Sequence, residues 1–88
     1  ILIPVPEDRK FALMENLQNN CIFNGAKIAR LDGMRVEYSG GWGLVRASNT
    51  TPNLTLRFEA DDDIQLEKIK THFRKELAPF INHLEDYI

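Results

Sequence analysis

Between Leu54 and Ala60 every second side chain is apolar: Leu54, Leu56, Phe58 and Ala60 alternate with Thr55, Arg57 and Glu59. A strand puts successive side chains on opposite sides of the backbone, so this run demands a sheet with one face on a core and one in water. Met34, Val36 and Tyr38 alternate with Arg35 and Glu37 in the same way. Between these two runs, Ser39-Gly40-Gly41 reads as a turn leading into a further strand, Trp42 to Arg46. A short run from Lys27 to Leu31 precedes Asp32-Gly33, a strong hairpin signal because both positions tolerate positive φ. Four consecutive, hairpin-linked strands imply an antiparallel sheet.

Helical patterns flank the strands. After an extended opening, Ile1 to Val5, comes Pro6-Glu7-Asp8, a proline that fits a first helical turn followed by acids that suit its positive end. Phe11, Met14, Leu17 and Cys21, with Leu13 beside them, form an apolar stripe that predicts a helix over roughly residues 7–19. Asn19-Asn20 and then Asn24-Gly25 close it. At the other end, Asp62 with Gln65 predicts a capping box, Leu66, Ile69, Phe73 and Leu77 mark a buried stripe, and Pro79 ends the helix. Helices segregated to the two ends of a run of strands predict an α+β domain: a four-stranded antiparallel sheet with two helices packed on one face.

Residues 1–88 contain no linker or repeat that would divide them, so a single domain is expected. No stretch approaches the ~20 apolar residues of a membrane span. A formal charge of −2 lacks the basic excess of a nucleic-acid binder. The lone Cys21 cannot form an internal disulfide and lies among apolar neighbours, which points to a buried thiol and a reducing cytoplasm. The chain opens on Ile1 rather than methionine, as expected of a processed start or of a piece of something longer.

The chemistry concentrates in Arg46-Ala47-Ser48-Asn49-Thr50-Thr51-Pro52, at the junction of two strands. Arginine forms paired, charge-assisted hydrogen bonds to phosphate oxygens. The Ser48 and Thr50 hydroxyls, the Asn49 amide and the backbone N–H groups of a tight turn can serve the remaining oxygens. The loop holds no histidine, carboxylate or thiol, so it offers a grip on an anion without a general base. Ser, Asn, Thr and Pro are equally the residues of an ordinary solvated turn, and composition alone favours that reading.

Three blocks go further than composition. Asp32-Gly33-Met34-Arg35-Val36-Glu37, Gly41-Trp42-Gly43-Leu44-Val45-Arg46-Ala47-Ser48-Asn49-Thr50-Thr51-Pro52 and Leu56-Arg57-Phe58-Glu59-Ala60 together resemble the C-terminal domain of the α-D-phosphohexomutases. The likeness runs from about Ile3 to Phe80. It implies the fourth domain of a four-domain enzyme, with a fold similar to the TATA-binding-protein family. It also implies interconversion of hexose 1-phosphate and hexose 6-phosphate through a hexose 1,6-bisphosphate intermediate. By the same resemblance a phosphoserine lies in the first domain, Mg2+ is held by aspartates of the second, and sugar hydroxyls are read mainly by the third. The fourth would bind the phosphate that is not reacting, through Arg46, Ser48, Asn49 and Thr50. Its partners would be the hexose phosphate and the three other domains, with no nucleic acid and no membrane. No catalytic residue or metal ligand is expected in this stretch, which alone would be inactive. Asn49 favours the mannose/glucose branch, since phosphoglucosamine mutases usually carry glycine there. Thr51 departs from the glutamate of many relatives.

Other features have structural explanations. Trp42 is expected to pack on the sheet, Asp61 to Asp63 to cap a helix, and His72 and His83 to share no metal. A rival reading is a stand-alone α+β module that binds nucleic acid or protein on its sheet face. It needs exposed aromatics there, whereas Tyr38 and Phe58 fall on the apolar side of their strands. A purely structural oligomerisation domain is a third.

Overall fold

The computed structural model describes residues 1–30 and 33–88. The elements run β1 (Leu2–Pro4), α1 (Lys10–Asn20), β2 (Lys27–Ala29), β3 (Met34–Tyr38), β4 (Gly41–Ala47), β5 (Asn53–Ala60) and α2 (Asp63–Leu77), with a 3-10 turn at Leu84–Asp86. The sheet is antiparallel throughout, in the order β1-β5-β4-β3-β2. Both helices cover the same face, and the core unites Met14 and Leu17 of α1, Ile69, Phe73 and Leu77 of α2, and Met34, Val36, Val45, Leu54 and Leu56 of the sheet.

The sheet has five strands, not four. The opening segment, expected to be merely extended, lies along the edge of β5 with Leu2 opposite Thr55 and Pro4 opposite Asn53. Ile3 is driven inward and fully buried, while Leu2 faces out. Pro4 had obscured the strand, but an edge position tolerates a residue without an N–H.

The alternation in β3, β4 and β5 sorts side chains as expected. Tyr38 and Phe58 turn towards the helices: Phe58 meets Phe73 edge-on at 5.0 Å, and the Tyr38 hydroxyl lies 2.9 Å from His72 Nδ1. Trp42 packs on the opposite, open face, where the guanidinium of Arg35 stands 4.2 Å from its ring and that of Arg57 5.8 Å. The open face therefore lacks the aromatic pair on adjacent strands that the sheet-binding rival requires. Gly43 makes room for α2: a Cβ there would sit 2.5 Å from the Phe73 ring.

Helix α2 matches its sequence at its cap, its stop and the stripe Ile69, Phe73 and Leu77, while Leu66, expected on that stripe, is only half-buried and lies outside the core. Asp62 accepts a hydrogen bond from the Gln65 N–H at 2.7 Å, and the helix stops at Leu77, two residues before Pro79. Helix α1 does not. It begins at Lys10 rather than residue 7, and Phe11, expected in the core, is 59% exposed while Lys10 is fully buried. At about 100° per residue, Lys10, Met14, Leu17 and Cys21 align on one face and Phe11 falls about 90° round from its centre. The spacing was legible; only the lysine's charge argued against it. The Asp32-Gly33 turn falls partly outside the described residues, but Gly33 does hold a positive φ of 91°.

Candidate functional site

The hairpin from β4 to β5 ends in residues 48–52, closed by the Ser48 N–H donating to the Asn53 carbonyl at 3.0 Å. Inside the loop runs a directed chain of hydrogen bonds. Asn53 Nδ2 donates to Thr51 Oγ1 at 3.0 Å, and Thr51 Oγ1 donates to Ser48 Oγ at 2.8 Å. The Thr51 N–H also donates to Ser48 Oγ, at 3.3 Å. Ser48 Oγ thus accepts twice, and no acceptor for its own proton lies among the hydrogen bonds within the loop. Each bond in such a chain polarises the next, which makes that proton a better donor.

Two neighbouring segments fix the loop from below. The Val5 N–H donates to the Pro52 carbonyl at 2.9 Å, and Lys10 Nζ donates to the Thr51 carbonyl at 3.0 Å. Lys10 Nζ is balanced by Glu7 Oε1 at 2.9 Å. Asn49 and Thr50 stand at the tip, exposed, and no hydrogen bond among the described residues engages their side chains.

Arg46 is paired with Thr55 across the hairpin and projects to the open face, because its neighbour Val45 points into the core. It is exposed. Gly33 packs directly against it: a Cβ at Gly33 would lie 2.5 Å from Arg46 Cβ and 2.6 Å from the Val45 carbonyl. With positive φ as well, position 33 needs glycine on both conformational and steric grounds. The predicted residues Arg46, Ser48, Asn49 and Thr50 thus lie on one hairpin end, three in the loop and Arg46 at the strand leading into it.

Sequence reasoning missed Thr51 and Lys10. Thr51 had counted only as a departure from a pattern, yet its hydroxyl, N–H and carbonyl each make a contact that shapes the loop. The position of Lys10 on the buried stripe was the available signal.

No carboxylate, imidazole or thiol occurs within residues 46–52, so the loop can hold an anion but not abstract a proton. Among the described residues no three His, Cys, Asp or Glu side chains converge to hold a metal ion. In the run Asp61 to Asp63, the Asp62 carboxylate is engaged as the cap of α2. Groups with displaced proton affinity lie elsewhere. Burial, reinforced by the Glu76 carboxylate, raises the Cys21 thiol to about 11 and the Tyr38 phenol to about 12. Cys21 sits at the far end of α1 from Lys10. No helix among the described residues is long and apolar enough to cross a membrane.

Residues 1–76 match the family described as phosphoglucomutase/phosphomannomutase, C-terminal domain. The chain is 58% identical over 77 residues to the phosphomannomutase/phosphoglucomutase of Pseudomonas aeruginosa, which takes in 88% of this chain and 17% of that protein. It is 49% identical over 63 residues to the phosphoglucomutase of Neisseria gonorrhoeae, covering 70% of this chain and 14% of that one. The crystal structure of a phosphoglucomutase/phosphomannomutase family protein from Burkholderia thailandensis superposes with a TM-score of 0.78 at 37% identity, over 94% of this chain and 18% of the other. The chain therefore spans about one-sixth of the length of the relatives it matches.

Proposed function

Since the chain belongs to the phosphoglucomutase/phosphomannomutase family and corresponds to its C-terminal domain, we propose that it serves as the phosphate-gripping fourth domain of a phosphohexomutase. The enzyme would interconvert hexose 1-phosphate and hexose 6-phosphate. The observation that carries this reading is the loop itself: Thr51 and Asn53 satisfy each other and Ser48 internally, while the exposed side chains of Asn49 and Thr50 make no hydrogen bond among the described residues, just past Arg46 at the end of β4.

The chemistry of such a mutase explains why the grip takes this form. A hexose 1,6-bisphosphate intermediate must reorient between two phosphoryl transfers, so the remote phosphate is attached to a different carbon each time. A clamp that serves both orientations should read phosphate and ignore the sugar. One arginine with small donors, and no aromatic or carboxylate beside them in the loop, suits that task. Fixing the remote end lowers the barrier by positioning the reacting end, and closure of the domain over the substrate would help keep water from the phosphoenzyme. In this reading Arg46 supplies the charge and Ser48, Asn49 and Thr50 complete the cradle. The phosphoserine and Mg2+ belong to other domains of the full-length chain, and the fold is of the TATA-binding-protein type. Asn49 favours the mannose/glucose branch, and the free Cys21 thiol suits a cytoplasmic enzyme.

The test is Arg46→Ala in the full-length enzyme. Loss of a charge-assisted contact should lower kcat/KM for glucose 1-phosphate by about 30- to 150-fold, the equivalent of about 2–3 kcal/mol of transition-state binding. An unchanged kcat/KM would overturn the reading.

A further inference from the structure

Lys10 has no part in the grip as so far described, yet it is the one charged side chain among the described residues that is completely buried. Removing an ammonium from water costs several kcal/mol unless partners replace the lost hydration. Here they do, and their identity is informative. Glu7, one turn earlier on the same segment, supplies the counter-charge at 2.9 Å. The Phe11 ring stands 5.1 Å from the ammonium, whose second hydrogen-bonding partner is the Thr51 carbonyl, 41 residues away and inside the candidate loop, at 3.0 Å. A lysine buried for stability alone would more simply be an apolar residue, since α1 exposes Phe11 at the next position while it buries Lys10.

The place of contact matters. Thr51 is the residue through which the loop is internally organised: its hydroxyl and N–H both contact Ser48, and its carbonyl also accepts from the Asn53 N–H at 2.9 Å. Locking the Thr51 peptide fixes the hydroxyl that orients Ser48, and it sets the height of the tip residues Asn49 and Thr50 above the sheet. We propose that Lys10 is a positioning residue for phosphate binding, a buried ammonium that holds the loop in its binding shape through the Thr51 carbonyl, with Glu7 as its counter-ion. It touches no substrate and acts only through the loop. The proposal rests on the reading of the loop as a phosphate grip.

The experiment compares Lys10→Met, Glu7→Gln and Arg46→Ala in the full-length enzyme, assayed with glucose 1-phosphate. Lys10→Met keeps the length of the side chain and removes charge and donor. It should raise KM about tenfold and leave kcat within about twofold, whereas a merely structural defect lowers the active fraction, and so kcat, without moving KM. The penalty of Lys10→Met should shrink in the Arg46→Ala background, because both act on one bound group. Glu7→Gln alters an exposed carboxylate without opening a cavity, so it supplies the readout if Lys10→Met does not fold; it should raise KM about threefold. Unchanged KM in Lys10→Met, or in Glu7→Gln where only that variant folds, would overturn the proposal while Arg46→Ala still raised KM. If Arg46→Ala itself left KM and kcat/KM unchanged, the phosphate-grip reading would fall first.

Discussion

Helix α2 opens on the Asp62 carboxylate, carries Asp63 in its first turn and Arg74 and Lys75 in its last, and buries Ile69, Phe73 and Leu77 along one face. Helix α1, laid against the same side of the sheet, has no side-chain cap, no acid in its first turn and no base in its last. It buries a lysine and exposes a phenylalanine. In α2 the cap, the charges at both ends and the stripe from Ile69 to Leu77 agree, the mark of an element built for stability, and Ile64 is its one exposed large apolar side chain. In α1 local preference yields at the end that touches the candidate loop, while the other end is held by contacts with α2. There Cys21 Sγ donates to the Glu76 carbonyl at 3.4 Å, and the Ile22 N–H donates to Glu76 Oε1 at 2.8 Å, tying α1 to α2. The difference between the helices therefore marks where the fold serves a site.

The contrast can be broken most severely at Phe73, which is fully buried and packs against Phe23 at 4.8 Å as well as against Phe58. Phe73→Ala should cost about 3–5 kcal/mol in denaturant unfolding. Gly43→Ala drives a methyl into the same ring and should cost about 1–3 kcal/mol. The two together should be less than additive, since removing the ring removes the clash.

At the junction of the helices the test is pH. Burial, with Glu76 adding to it, moves the Cys21 thiol from its ordinary 9.0 to about 11. A folded-state value above the unfolded one gives stability that is complete below the unfolded value. That stability is lost as pH rises from about 9 to about 11, at about 1.4 kcal/mol per pH unit for one proton. Unfolding midpoints measured across this window should fall more steeply for the parent chain than for Cys21→Ala.

Asp62→Ala tests the cap of α2 and should cost about 1 kcal/mol. The smallest effects belong to the start of α1. Lys10→Met should change stability by less than about 1 kcal/mol, because an apolar side chain of similar volume fills the buried site and the Glu7 carboxylate it leaves behind is exposed to water. Phe11→Ala, which removes an exposed ring 5.1 Å from the Lys10 ammonium, should cost less than about 1 kcal/mol. A large loss on Lys10→Met in the unfolding transition would erase the contrast and make Lys10 an ordinary core residue.

How much of this was legible depended on the range of the interaction that decided it. β3, β4 and β5 were readable because an alternation of period two is written in adjacent residues. α2 was readable because its cap, stripe and stop all lie within Asp62 to Pro79. β1 escaped notice because three residues ending in proline carry too short a pattern, and the partner that makes them a strand, residues 53–55, lies half the chain away. The residues of the candidate site were readable as types, and their likeness to the phosphohexomutases named them individually. The loop's internal wiring was not, since Thr51 differs from the residue many relatives carry and only its contacts reveal its place.

The sequence by itself determined the fold class, the end of the sheet at which donors would gather, and the absence of any proton-abstracting group from residues 46–52. These follow from the spacing and chemistry of near neighbours. Tertiary structure alone decided that Lys10 and not Phe11 completes the buried face of α1, that Gly33 yields its volume to Arg46, and that the lysine enters the core to hold the Thr51 carbonyl. An ammonium leaves water only where fixed partners already stand to receive it, and the folded chain brings those partners together.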